Sequence, residues 1–363
     1  MEHAVYRNPV SGASRDKNEG GFDLMKKLFS LLLAAVMVLG MVSALAEDIG
    51  DSLVVYTPQT EKDCEVLVEG FNELYPDCYV EIITGSAGEL TARIAAEKDN
   101  PAGDVMVGGL NQTDGDKYAD IFAPYVSAND SELLPAYQNN NGMYSYNFMV
   151  PVCFVVNTTI LNELGITVKS YQDLLQPELN GRIIVADPNS SSAGWNNYSN
   201  ILSCFGYDSP ETWDYLEKLM NNKLIVVTSS STVFKSVGNG EYAVGLTAED
   251  QAATLLRDGN TEVAIFYPEE GCSAFAFAGA VIKGCKHEAA AKAFLDYTLD
   301  AHWQGVRAQA QGTLRMTNPN AKYESEYLKP YDEIKWVDRD ISWLTANKDL
   351  CLEKWNELYT KAN

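Results

Sequence analysis

From Ser52 onward, short β-branched runs alternate with stretches in which apolar residues recur every three or four positions. A period of two marks a half-buried strand, and a period near 3.6 marks a helix with one face on the core. On that basis residues 53–56, 79–83 and 104–107 are predicted strands, and 61–74 and 89–98 predicted helices between them. This is a β-α-β-α-β unit, which calls for a parallel sheet with right-handed crossovers.

Residues 114–141 break the pattern with Pro124, Pro135 and an Asn139-Asn140-Asn141-Gly142 turn signal, and are expected to form loops and short helices. A long apolar strand is predicted at 149–156. A second series follows, with helices at 159–163, 171–175, 196–205, 210–222, 232–239 and 250–258 and strands at 182–186, 224–227, 242–246 and 263–267. A further apolar stretch at 274–282 would return the chain to the first lobe. Helices are expected at 289–299 and 302–309, with a Trp-bearing helical tail at 340–359. The fold class is therefore α/β, with two doubly wound lobes joined by hinge-crossing strands. The expected boundaries are 52–150 plus 270–318 for lobe 1 and 151–269 plus 319–363 for lobe 2. A chain of 363 residues is long enough for two cores.

The N-terminal pattern is of another kind. Met25-Lys26-Lys27, an apolar run from Leu28 to Val42 and Ala44-Leu45-Ala46 have the order of a cleaved signal peptide. Residues 25–46 are expected to be the leader, and the polar residues 1–24 an extension outside the native start. No cysteine follows the run, so an exported, periplasmic or extracellular protein without a lipid anchor is expected.

Charge and cysteine content narrow the partners. Formal net charge is −23, and the first 46 residues carry five basic and four acidic side chains, so the remainder is slightly more acidic still. Such a surface repels nucleic acid and anionic lipid, whose binding depends on basic patches. The seven cysteines form no CxxC pair and no zinc-spaced Cys/His cluster. Cys272 with Cys285 and Cys64 with Cys78 are the nearest pairs for disulfides; buried free thiols are the alternative. No GxSxG, HExxH or Cys/His signature is present, so no enzyme activity and no cofactor are expected.

Candidate ligand loops are those between a strand and a helix, because ligands of open α/β sheets sit beyond the carboxyl ends of the strands. Gly85-Ser86-Ala87-Gly88-Glu89, Asn189-Ser190-Ser191-Ser192-Ala193-Gly194 and Ser229-Ser230-Ser231-Thr232 each offer hydroxyls and free N–H groups at a helix start. Three such starts favour an oxyanion over plain capping. Thr57 and Gln59 end the first strand, Trp195 and Tyr198 could stack on a ligand ring, and Glu249 and Asp250 could meet hydroxyl or amine groups.

The residues that carry a resemblance lie between about Ser52 and Pro319. They are Val54-Val55-Tyr56-Thr57, the Gly85–Leu90 loop with Ala95–Pro101, Gly103–Gly109, Gly181–Ile183 with Ala186–Ser192, Gly240–Leu246 and Ala278–Lys283. In order and spacing the chain resembles the type II periplasmic binding proteins, in the branch of ferric-ion-, thiamine-, phosphonate- and hexose-phosphate-binding receptors. The resemblance implies a monomeric receptor that closes on a small solute between its lobes and delivers it to a cognate ABC permease. It also supplies the alternative of a ferric-iron receptor, with Glu89, Glu249 and Asp250 as the metal ligands. Where ferric relatives carry two adjacent tyrosines this chain has Glu249-Asp250, and residues 57–60 lack the histidine that some of them use. Hard ferric ion would then rest on carboxylates alone, so an anionic organic solute such as a sugar phosphate or phosphonate is the leading expectation. A thiamine-type ligand and a secreted hydrolase rank below it.

Overall fold

A computed structural model of the chain describes residues 48–362. The expected leader and the extension before it lie outside the described residues.

In chain order the first lobe opens with β1 (Ser52–Thr57), α1 (Glu61–Leu74), β2 (Tyr79–Thr84), α2 (Ala87–Ala96) and β3 (Val105–Asn111). The three strands are parallel with β1 in the centre. Alternation along β1 decides the packing: Leu53 and Val55 meet Leu67 and Phe71 of α1 on one face, while Tyr56 meets Leu90 and Ile94 of α2 on the other.

The middle of the chain runs β4 (Ser145–Asn157), α3 (Thr158–Leu164), β5 (Ile183–Ala186), α4 (Ser192–Phe205), α5 (Pro210–Asn221), β6 (Ile225–Val227), α6 (Ser230–Gly238), β7 (Val244–Ala248), α7 (Glu249–Arg257) and β8 (Val263–Phe266). Then follow β9 (Ala274–Val281), α8 (Glu288–Leu299), α9 (Ala301–Gln311), β10 (Arg315–Met316), α10 (Ile341–Ala346) and α11 (Lys348–Ala362). The sheet order is β2-β1-β3-β9-β4-β7-β5-β6.

β4 belongs to both lobes. Its first half pairs antiparallel with β9, from Ser145 opposite Gly279 to Pro151 opposite Ala274. Its second half pairs with β7, from Val152 opposite Ala248 onward. Every residue of β4 is buried, which is why it reads as an unbroken apolar run. The chain recrosses just before β9, and a third crossing lies beside it: Cys272 accepts from Val337 N and donates from its own N to Lys335 O. α10 and α11 then complete the second lobe, with Leu344, Cys351, Trp355 and Leu358 packed among Trp195, Tyr198 and Leu202.

Most predicted elements are present with shifted ends. The 171–175 helix is a 3-10 turn over Gln172–Leu175, the tail is two helices broken at Asn347, and β10 is an unforeseen two-residue strand paired with β4. All seven cysteines are unpaired, which corrects the disulfide expectation for Cys64 with Cys78 and Cys272 with Cys285. Among the described residues no helix is long and apolar enough to cross a membrane.

Candidate functional site

The parallel strands of both lobes present their carboxyl ends toward one another across β4 and β9. There, a cavity of about 350 Å³ separates the end of β3 from the start of α4. Asn111, Thr113, Asp114 and Lys117 line it from the first lobe; Ser190, Ser191, Ser192, Trp195, Asn196 and Lys348 line it from the second. Two larger hollows lie against α9, of about 660 Å³, and along residues 315–331, of about 610 Å³; the second is lined by Arg315, the partner of Glu249 just after β7.

Local sequence builds the second-lobe wall. The Asp187 carboxylate accepts from Asn189 N, its carbonyl accepts from the N–H groups of Ser190 and Ser191, and Ser191 caps α4 by accepting from Gly194 N at 3.3 Å. The first N–H groups of a helix have no partner within it, so those of Ser192 and Ala193 remain available to an acceptor. α4 begins four residues before its predicted start because this cap sits at Ser191. Gly194 serves packing: a Cβ there would fall 2.4 Å from the Ala186 carbonyl oxygen.

Trp195 is 3% exposed and its indole Nε1–H has no acceptor, an orphaned donor in the wall of the cavity. Lys348 lies over its ring, 5.2 Å from the centroid, so that ring face is taken by a cation. Tyr198 is core, its hydroxyl donating to Cys351 O at 2.9 Å.

The first-lobe wall is a tight turn. The Asn111 side chain accepts from Thr113 N and Thr113 Oγ1, and Asp114 accepts from Asn111 N at 2.9 Å. Burial raises the Asp114 carboxyl above the usual range, against the pull of the Asn111 amide and the cations of Lys117 and Lys348. The cavity thus holds two ammonium groups, three serine hydroxyls, an indole N–H and a helix start, opposed by one carboxyl.

The other sequence-derived candidates lie elsewhere. Thr57 is buried and donates to Val107 O at 2.7 Å while accepting from Gln59 N. Gln59 lies over Gly108, where a Cβ would meet its amide nitrogen at 2.5 Å; the φ of +80° there also suits glycine. Ser86 and Glu89 form a reciprocal capping box on α2, with the Glu89 carboxylate accepting from Ser86 N and Ser86 Oγ. Those two bonds hold the Glu89 carboxyl below its usual range, and Gly88 beside it has open space. Ser230 and Ser231 fall inside the first turn of α6, one and two residues past the N-cap Ser229, and Ser230 accepts from Gln251 Nε2.

Glu249 is 1% exposed, and both of its oxygens are occupied by Arg315, from Nε at 3.0 Å and Nη2 at 2.6 Å. Tyr267 donates to the same carboxylate. Asp250 has a shielded Oδ1 with no partner, and burial pushes its carboxyl up to about 6. Glu89, Glu249 and Asp250 are not gathered as an iron site, and among the described residues no three His, Cys, Asp or Glu side chains converge as metal ligands.

Sequence reasoning missed Asn111, Thr113, Asp114, Lys117, Asn196 and Lys348. Asn111-Gln112-Thr113-Asp114 has capping-box spacing, the one local signal that could have flagged the first-lobe wall.

The family description that matches residues 111–342 is "bacterial extracellular solute-binding protein". The chain belongs to that family. It is 27% identical over 336 residues to an uncharacterized protein of Haemophilus influenzae, covering 90% of this chain and 94% of that one. A probable ABC transporter periplasmic-binding protein of Sinorhizobium fredii is 24% identical over 291 residues, 78% of either chain. Among solved structures, the periplasmic binding protein AfuA from Actinobacillus pleuropneumoniae, with fructose 6-phosphate bound, superposes with a TM-score of 0.71 at 26% identity, covering 86% of this chain and 99% of that one. The architecture of this family member is the type II periplasmic binding protein fold expected from the sequence.

Proposed function

We propose that this solute-binding protein is the receptor of an ABC importer and takes a small anionic organic solute, of the sugar-phosphate or phosphonate type, between its lobes. The observation that carries this is the donor-rich cavity, above all the buried, unpartnered Nε1–H of Trp195 beside Ser190, Ser191 and Ser192. A buried donor without an acceptor costs about 1–3 kcal/mol, and a ligand oxygen would relieve it. Lys117 and Lys348 add opposite charge to an anion and would repel a thiamine-type cation. AfuA's fructose 6-phosphate is a ligand of this class. The closed receptor would then engage a membrane permease, with no catalytic step of its own.

Isothermal titration of the protein after unfolding and refolding, which strips retained solute, tests the reading. Fructose 6-phosphate, 2-aminoethylphosphonate and inorganic phosphate are the probes; thiamine, fructose and ferric citrate are the controls. At least one phosphorus oxyanion is expected to bind with micromolar or better affinity, and fructose not at all. Binding of ferric citrate or thiamine alone would overturn it.

A further inference from the structure

Among the described residues three arginines pack between elements: Arg307 and Arg315 are buried and each has a carboxylate of its own, while Arg339 is partly buried. Arg307 holds Asp63 through Nε at 2.9 Å and Nη2 at 2.6 Å, and Arg315 holds Glu249 in the same forked way. The third, Arg339, sits on the crossing segment just ahead of α10. Its Nη1 donates to Asn196 Oδ1 at 3.1 Å and its Nη2 to Ser199 Oγ, both neutral acceptors on α4. Its Nε is shielded and has no partner. No carboxylate of the described residues pairs with it. Loss of water around the guanidinium lowers its pKa to about 10, the direction expected of a cation partly taken from water without a counter-charge.

Asn196 is the link to the cavity. It is 5% exposed and lines the cavity beside Trp195. A guanidinium can only donate, so it fixes which end of the Asn196 amide faces it: Oδ1 turns to Arg339 and the Nδ2–H₂ group is left for the cavity. The wall formed by Ser191, Ser192, Trp195 and Asn196 is thereby made of donors, with an unneutralised charge behind it.

We infer that Arg339 is a positioning and specificity residue: through Asn196 it commits the cavity to a fully ionised oxyanion, whose charge supplies the counterpart that the chain withholds from this guanidinium. This rests on the functional reading above. It goes further in assigning selectivity for an ionised phosphate or phosphonate group over a hydroxyl or amide to a residue that does not touch the ligand.

Isothermal titration with fructose 6-phosphate and inorganic phosphate, together with denaturant unfolding, separates this role from a structural one. Arg339→Met is expected to weaken both probes at least tenfold without lowering the unfolding midpoint, because it removes an uncompensated, partly buried charge. Arg339→Lys, which keeps the charge, should recover a measurable part of the affinity. Asn196→Asp is the decisive variant: a carboxylate there pairs with Arg339, so stability should rise while oxyanion affinity falls tenfold or more. Asn196→Asp binding both probes as tightly as the unaltered protein would overturn the inference and leave the receptor reading standing, whatever Arg339→Met does. Failure of the unaltered protein to bind either probe or 2-aminoethylphosphonate would overturn both.

Discussion

Arg315 in β10 grips Glu249 at the start of α7, joining a strand paired to the first-lobe half of β4 to a helix of the second lobe by two charge-assisted bonds of 3.0 and 2.6 Å. The pair is anchored beyond the two residues: Arg315 Nη2 also donates to Lys329 O, and Tyr267 donates to Glu249. A carboxylate so engaged has little left to offer a ligand.

Breaking this pair should therefore damage stability before binding. Arg315→Ala or Glu249→Ala leaves the partner charge buried and uncompensated, a loss of about 3–5 kcal/mol. Glu249→Gln, which keeps the shape, should lose less and leave oxyanion affinity within about threefold, a difference of under ~1 kcal/mol. Urea unfolding beside ligand titration checks both, and a large affinity loss in Glu249→Gln at unchanged stability would place that carboxylate in the ligand shell instead.

Trp195→Phe removes the indole N–H while keeping most of the buried ring. The expected loss is about 1.5–3 kcal/mol of oxyanion affinity, since a hydrogen bond to a charged group is at stake. Folding stability should hold or rise slightly, because an unpartnered buried donor has gone. Equal affinities for the two proteins would remove the indole from the site.

Asp250 makes a prediction about pH. Its folded carboxyl is raised to about 6, above the unfolded range near 4, so the folded state binds this proton more tightly. The contribution to stability is present below about pH 4 and is lost as pH rises through 6. Asp250→Asn should consequently gain on the order of 2 kcal/mol over the unaltered protein at pH 7–8, with the gain vanishing near pH 4. Denaturation midpoints at four pH values suffice, and a pH-independent difference would contradict the assignment.

Thiol reactivity follows from packing. Burial pushes the thiols of Cys64 and Cys351 up to about 11 and those of Cys204 and Cys285 to about 12, while Cys153 and Cys272 are more deeply enclosed. Thiolate is the reactive form, so a disulfide reagent at pH 8 should label the native protein slowly. In denaturant without reductant it should titrate all seven thiols, and a shortfall of two would reveal a disulfide.

Those elements whose packing is uniform along their length were legible in the sequence. β4 is buried on both faces and β1 alternates between α1 and α2, so each leaves a periodic trace. The start of α4 was read too late because Ser192-Ala193-Gly194 carries no apolar rhythm and owes its helical state to the Ser191 cap. β10 was invisible because two residues become a strand only through β4. At the site, the serine loop ahead of α4 could be found from composition. Lys348 could not, since its approach to Asn111 and Lys117 is fixed by a distant helix rather than by spacing. The fate of Glu249 was hidden for the same reason: its partner lies 66 residues away along the chain.

The double membership of β4 has a consequence for biosynthesis. β3 must wait for β9 as its neighbour, and the second-lobe core lacks Leu344, Trp355 and Leu358 until α10 and α11 are made. The first lobe cannot close before β9 is made, nor the second before α10 and α11 are. Strands that pair across more than a hundred residues make this a topology of non-local contacts, which folds slowly.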